Sequence, residues 1–112
     1  MLKKLYFTFL FLLSTFLVNS QVVINEYSAS NFDSHLDNYG EYEDWVELYN
    51  TTNSDIDLNG WSLTDKPSNL SKWSFPGSFI VSANSVAIVY CSGLNELVGG
   101  VAHTNFKITQ TK

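Results

Sequence analysis

The sequence predicts an all-β domain built as an antiparallel sandwich or barrel, and three observations support this prediction. About seven or eight strand candidates recur at roughly 8–12-residue spacing, separated by clusters of turn-forming residues. Residues 44–50 alternate like a half-buried strand, with Val46 and Leu48 on one face and Trp45 and Tyr49 on the other. No stretch after residue 20 shows the apolar period of a helix.

The strand candidates alternate with turn and loop segments along the chain. They are residues 22–27, 44–50, 56–58, 61–63, 72–75, 79–81, 86–90 and 104–108. Residues 28–42 are polar and predict a loop, whose length is typical of a functional or mobile segment, and residues 94–102 predict a Gly-containing connection. The predicted core consists of Val46, Leu48, Trp61, Leu63, Trp73, Phe75 and Ile88.

The first twenty residues predict a signal peptide. Lys3 and Lys4 form a basic start, residues 5–18 are largely apolar, and the residues after them permit cleavage before Gln21. The alternative is an uncleaved anchor, but this run is shorter than the roughly 18–20 apolar residues that cross a bilayer. We therefore expect a secreted or cell-surface protein, with one domain at residues 21–112 and no stable membrane insertion after cleavage.

The charge of residues 21–112 limits the partners. This part keeps all eleven acidic residues but only four basic ones, so its formal charge is 4 − 11 = −7. The basic residues are Lys66, Lys72, Lys107 and Lys112. Such a surface repels the phosphates of nucleic acids and anionic lipids, so we expect no nucleic-acid partner.

The single cysteine, Cys91, excludes an intramolecular disulfide. Because residues 86–90 before it are nearly all apolar, we predict that Cys91 is a small buried side chain at the end of a strand. Pairing with a cysteine of another molecule is the alternative.

Several blocks of the chain, in order, resemble the lamin-tail domain family. They are residues 23–31, 44–50 (DWVELYN), 58–65 (LNGWSLTD), 72–77 (KWSFPG), 86–93 and 103–107 (HTNFK). The resemblance implies an immunoglobulin-like β-sandwich. It is similar to the secreted bacterial members, in which the domain is usually an accessory module and often lies beside a hydrolase, a nuclease, a spore-coat-kinase-like domain or a C-terminal sorting signal.

The resemblance carries over no catalytic residue, because none belongs to the domain itself. Family members continue past the block at residues 103–107 with further strands, so we expect the last strands of the sandwich to be missing here. The DNA or chromatin association of the nuclear lamins rests on a basic surface, which this acidic chain lacks.

An acidic segment at residues 26–47 is a candidate metal site. Calcium binds several carboxylate and carbonyl oxygens from a flexible loop, and Asp33, Asp37 and Asn38, with Gly40 nearby, could supply them. The spacing is not that of an EF-hand, and the alternative is a solvated acidic loop. Calcium is the one cofactor that the sequence suggests.

Aromatic residues form a candidate binding surface. If Val46 and Leu48 face the core, Trp45 and Tyr49 face outward and could contact a ligand or a neighbouring domain, together with Tyr39 and Tyr42. The alternative is that these rings pack beneath the 28–42 loop.

The sequence contains only weak candidates for a set of catalytic residues. Glu43 and Glu47 could pair as glycosidase carboxylates, but a strand edge has no cleft that would raise the pKa of one of them. His35 and His103 match no zinc spacing, and no nucleophile elbow accompanies them. We therefore expect a chain that is not an enzyme.

These observations favour a secreted, non-catalytic module that mediates adhesion or positions a neighbouring domain. Its expected partner is a protein, a polysaccharide or an adjacent domain of a longer chain. One alternative is the N-terminal accessory part of a secreted hydrolase or spore-coat-kinase-like protein, with the catalytic domain beyond Lys112. The other is a calcium-dependent binding module.

Overall fold

The computed structural model describes residues 21–108, which form strands, turns and loops without a helix. Within these residues there are nine strands: β1 (Val22–Ser28), β2 (Asp44–Asn50), β3 (Ile56–Asp57), β4 (Ser62–Leu63), β5 (Trp73–Ser74), β6 (Ile80–Val81), β7 (Val86–Cys91), β8 (Glu96–Val98) and β9 (Val101–His103). The predicted all-β class is confirmed, and no helix in this part of the chain could cross a membrane.

The strands form an immunoglobulin-like β-sandwich. The larger layer is a five-stranded sheet in the order β1-β2-β7-β9-β8, and the two-stranded pairs β3-β6 and β4-β5 complete the fold. Neighbours in the sheet are antiparallel except β7 and β9, which run parallel where Tyr90 lies opposite His103. The sheet therefore has two edges among the described strands, and β1 forms one of them.

The core lies between the larger sheet and the short strand pairs. Its buried members are Val46, Leu48, Leu58, Trp73, Phe75, Phe79, Val81, Val89, Cys91, Ala102 and Phe106. Three of their rings contact one another, with Phe75 at 4.7 Å from Trp73 and 5.0 Å from Phe79 between ring centroids. Such aromatic contacts add to the stabilisation from burial alone.

The predicted core is partly confirmed. Val46, Leu48, Trp73 and Phe75 are buried, and Leu63 packs half-buried against them. The prediction for Ile88 is wrong. In the sheet register Ile88 lies opposite Glu47 and therefore shares its outer face, where Ile88 is only half-buried.

The core prediction for Trp61 is also wrong, because its side chain is 43% exposed. Gly60 adopts φ +79°, and the Trp61 amide bonds the Leu58 carbonyl at 2.9 Å across this turn. A residue with positive φ reverses the chain tightly. The turn accordingly leaves Leu58 inside the core and places Trp61 at the surface.

Two predictions near the end of the described chain need correction. The 94–102 connection contains β8 and part of β9, joined by a hairpin whose Gly99 and Gly100 both have positive φ. Residues 104–108 form no strand. There the Thr104 hydroxyl donates to the Phe106 carbonyl at 2.7 Å, a local bond that competes with strand pairing.

Two further predictions lie outside the described residues. The signal peptide at residues 1–20 is one, and the absence of final strands after residue 108 is the other. Both stay predictions.

Cys91 is confirmed as a buried side chain at the end of β7. Burial raises the pKa of its thiol to about 12. Because the thiolate is the nucleophile, we expect iodoacetamide at pH 8 to leave the folded protein unlabelled and to label it rapidly in urea. Mass spectrometry of both samples checks this, and equal labelling rates would mean that Cys91 is accessible in the native state.

Candidate functional site

A loop at residues 29–43 folds over the outer face of β2. Asn31 is buried and organises it. Its side-chain oxygen accepts the Ser34 amide at 3.0 Å, and its side-chain nitrogen donates to the Glu43 carbonyl at 3.1 Å. One buried amide therefore closes the loop on itself, in the manner of an Asx turn.

This loop buries Trp45, so the prediction of Trp45 as a binding-surface residue is wrong. Trp45 is only 3% exposed. The His35 ring meets it edge-on at 4.7 Å between centroids, and the indole nitrogen donates to the Ser34 hydroxyl at 3.3 Å. The packing alternative is the correct one, and Tyr49 on the same strand face is half-buried.

Two of the three predicted calcium ligands, Asp37 and Asn38, make hydrogen bonds within the chain. One Asp37 oxygen accepts the amides of Tyr39 and Glu41 at 2.8 and 2.9 Å, and the Asn38 side-chain oxygen bonds His103. Asp33 is exposed. Among the described residues, no group of three or more His, Cys, Asp or Glu side chains is placed to hold a metal ion. Calcium binding stays a prediction without geometric support.

His103 fastens the loop to the sheet. Its ring is fully buried and stacks on Tyr90 at 5.3 Å between centroids. Because an amide oxygen can only accept, Nε2 of His103 donates to Asn38 Oδ1 at 2.7 Å. In the neutral ring Nδ1 then accepts the hydroxyl proton of Ser92 at 2.8 Å.

Ser92, His103 and Asn38 are joined by hydrogen bonds in the order of a catalytic triad. Unlike the nucleophile of a triad, however, Ser92 is not accessible to a substrate. Ser92 is 7% exposed, and its oxygen also accepts the Leu94 amide at 3.2 Å. The Asn38 amide occupies the position that a carboxylate has in serine hydrolases. A carboxylate would stabilise a charged imidazole, whereas a neutral amide does not. The network therefore holds loop and sheet together.

Beside this network lies an open cleft of about 340 Å³, which we call the acidic cleft. Its lining residues are Asp37, Tyr39, Glu41, Glu43, Leu94 and Glu96. The Tyr39 hydroxyl donates to the Glu96 carboxylate, and this bond raises the pKa of Tyr39. The cleft thus combines an aromatic ring, an aliphatic side chain and four carboxylates.

Most of this negative charge is uncompensated. Lys107 approaches Glu43 at 4.0 Å, but both side chains are partly solvated and such a contact contributes little. The other ion pair between described residues joins Lys72 to Asp65 and lies outside the lining of the cleft. The cleft therefore has a negative potential that attracts cations.

Two residues singled out in the sequence line this cleft, namely Tyr39 as a binding-surface candidate and Asp37 as a candidate calcium ligand. Tyr39 and Tyr42 are exposed, as the binding-surface hypothesis requires, and Asp37 belongs to the cleft. Leu94 and Glu96 were missed, because the hydrogen bond from Tyr39 to Glu96 spans 57 positions and no local pattern indicates it.

A family model identifies the family to which this fold belongs. The lamin tail domain model matches residues 18–112, which is most of the chain. The chain belongs to the lamin tail domain family. The suspected resemblance is thereby confirmed, and so is the immunoglobulin-like sandwich that it implies. Searches of curated proteins and of solved structures returned no match to this lamin tail domain chain.

Proposed function

We propose that this lamin tail domain is a secreted, non-catalytic binding module that holds a basic segment of a partner protein in the acidic cleft. The observation that carries the proposal is the composition of the cleft, with Tyr39 and Leu94 among four carboxylates. A partner held there could equally be an adjacent domain of a longer chain, which the module would then position.

The cleft has the chemistry that a lysine or arginine side chain requires. The alkyl stem would pack on Leu94, which is 53% exposed, and the cation would lie against the Tyr39 ring, which is 54% exposed. The carboxylates of Glu41 and Glu96 would accept hydrogen bonds from the charged head. A neutral sugar would stack on the ring and donate hydroxyl hydrogen bonds to the carboxylates but would leave their negative charge uncompensated, so the charge favours protein over polysaccharide.

Three features support a non-catalytic role. The acidic cleft contains no Ser, Thr, Cys, Lys or His in its lining, so it lacks nucleophiles of the serine, threonine, cysteine and lysine types. The nearby His103 is buried, with both ring nitrogens bonded. The family is immunoglobulin-like and is not a catalytic one.

A charged peptide tests the cleft. We expect a peptide of alternating glycine and arginine to bind the full chain in calorimetry, with an affinity that falls as salt is added. The double variant Glu41→Gln, Glu96→Gln should bind about fivefold more weakly, since two exposed ion pairs at about 0.5 kcal/mol each contribute about 1 kcal/mol together. Tyr39→Phe should retain most of the affinity, because the ring remains.

Asp55→Asn is the matched control, since it removes an exposed carboxylate outside the cleft and keeps an oxygen for the Ala83 amide. It should bind like the parent. If Asp55→Asn weakens binding as much as the double variant, the peptide is attracted by overall charge, and the cleft is not its site.

A further inference from the structure

Tyr39, the aromatic residue in the lining of the acidic cleft, is held at both ends although its side chain is 54% exposed. At the tip, its hydroxyl donates to the Glu96 carboxylate. At the backbone, its amide donates to Asp37 Oδ1 at 2.8 Å, and the preceding residue, Asn38, bonds His103 at 2.7 Å. The fold therefore determines where this exposed ring lies.

His103 is the fixed point of this arrangement. Its ring is fully buried at the end of β9, stacked on Tyr90, and its centroid lies 5.8 Å from that of the Tyr39 ring. The Ser92 hydroxyl bonds Nδ1 at 2.8 Å, so the Nε2 proton is directed at the Asn38 oxygen. A buried ring that is bonded on both sides cannot turn without breaking a hydrogen bond, and it therefore holds Asn38 in one position.

The turn at residues 36–42 carries this restraint from Asn38 to Tyr39. Its two ends pair as an antiparallel bridge. Inside the turn, the Asp37 amide donates to the Glu41 carbonyl at 2.9 Å, and an Asp37 carboxylate oxygen accepts the Glu41 amide at 2.9 Å. A turn that is closed by bonds in both directions moves as one unit, so the bond at Asn38 also fixes the Tyr39 ring.

A fixed ring distinguishes two side chains that carry the same charge. The planar guanidinium of arginine stacks on an aromatic face and donates hydrogen bonds in its own plane to carboxylates, whereas the lysine ammonium is a compact, strongly hydrated charge. Glu41 and Glu96 lie in the same lining as the Tyr39 ring and can accept those bonds. Because Tyr39 is already restrained, stacking on it costs little side-chain freedom.

We propose that His103, acting through Asn38, positions Tyr39 as a stacking platform, and that the acidic cleft for this reason selects arginine over lysine. This inference rests on the proposed function of the cleft as the site of a basic partner segment, and it names the side chain that the partner supplies. His103 is a positioning residue, since its buried ring does not touch the partner.

The chain itself contains no arginine, and this favours a separate protein as the partner. All six basic residues are lysines, at positions 3, 4, 66, 72, 107 and 112. Lys107, for example, reaches the cleft residue Glu43 at 4.0 Å. A cleft that prefers arginine discriminates against these lysines and against those of a second copy.

Two capped peptides of equal length and charge test the selectivity of the full chain in calorimetry. One alternates glycine with arginine, and the other alternates glycine with lysine. We expect the parent to bind the arginine peptide about fivefold more tightly. Tyr39→Leu should abolish this preference while both peptides still bind through the carboxylates. Because the peptides carry the same charge, the ratio of their affinities does not report overall charge attraction.

Variants of Asn38 test the positioning role. Asn38 is exposed, so Asn38→Ala should fold, and it removes the oxygen that His103 contacts. We expect the arginine preference to fall below about twofold. Asn38→Asp retains an acceptor for the Nε2 proton and should preserve the preference. His103→Leu should act like Asn38→Ala, and Asn38→Ala decides the question if the buried substitution prevents folding.

A second readout needs no peptide. The bond to Glu96 raises the pKa of Tyr39. In Asn38→Ala this pKa should fall to the ordinary tyrosine value of about 10, because the ring no longer lies against Glu96. In Asn38→Asp it should stay raised. A pH titration of the tyrosine ring signals by NMR measures this, and Tyr90, whose pKa is raised chiefly by burial, is the internal control and should stay raised in both variants.

Two results would overturn the inference and leave the proposed function intact. One is equal affinity of the parent for the arginine and lysine peptides. The other is an Asn38→Ala variant that keeps either the arginine preference or the raised pKa of Tyr39. A parent chain that binds neither peptide would refute the proposed function and the arginine selectivity together, and the titration would still decide the positioning role of His103.

Discussion

Trp73→Ala is expected to unfold the domain at room temperature or to leave it barely stable. Trp73 is 3% exposed, contacts Phe75, and donates its indole N–H to Asn95 Oδ1 at 3.0 Å. Truncating a buried tryptophan costs about 3–5 kcal/mol, while a small domain has about 5–15 kcal/mol in total. Urea denaturation followed by circular dichroism measures the loss.

Trp61→Ala is the matched control for this prediction. It removes the same side chain at a position that is 43% exposed and outside the buried core. We expect its urea midpoint to lie close to that of the parent. Equal destabilisation by the two variants would contradict the assignment of Trp73 to the core and of Trp61 to the surface.

Asn50→Leu is expected to have the second-largest effect. Asn50 is fully buried at the end of β2, and its side chain makes four hydrogen bonds. Its side-chain nitrogen donates to the carbonyls of Ser54 and Val81 at 2.8 and 2.9 Å, and its oxygen accepts the amide and hydroxyl of Thr52 at 2.9 and 2.8 Å. Leucine has a similar size but satisfies none of these groups.

Each buried polar group left without a partner costs about 1–3 kcal/mol, so the loss should approach that of a core truncation. Asn53→Ala removes a neighbouring amide whose bond to Asn84 is exposed, at 3.0 Å, and should change the melting temperature little. An Asn50→Leu variant that melts like the parent would mean that these hydrogen bonds contribute nothing net.

The strand pattern of the sequence was sufficient to predict the fold, but it did not predict which aromatic rings are buried. The alternation at β2 correctly separated Val46 and Leu48 from Trp45. It did not show that the 29–43 loop covers the outer face, because Asn31 and His35 contact it through tertiary packing. The turn at Gly60 determines that the Trp61 side chain points to the surface. The sequence could not indicate this, because the adjoining strand β4 has only two residues and therefore shows too little alternation.

The candidate site was harder to predict than the fold. Tyr39 and Asp37 stand out in the sequence as an exposed aromatic and an acidic residue, yet Glu96 reaches them only through the β8–β9 hairpin, which the sequence suggested to be a plain connection.

The central claim is that the acidic cleft binds a basic partner segment. It is tested most directly by a two-dimensional NMR titration of the ¹⁵N-labelled chain with the glycine–arginine peptide. Our account predicts saturable shifts of the amide signals of Tyr39, Leu94 and Glu96, with those around Asp55 unchanged. Shifts that spread evenly over all acidic regions, or that leave the signals of the cleft unchanged, would contradict it.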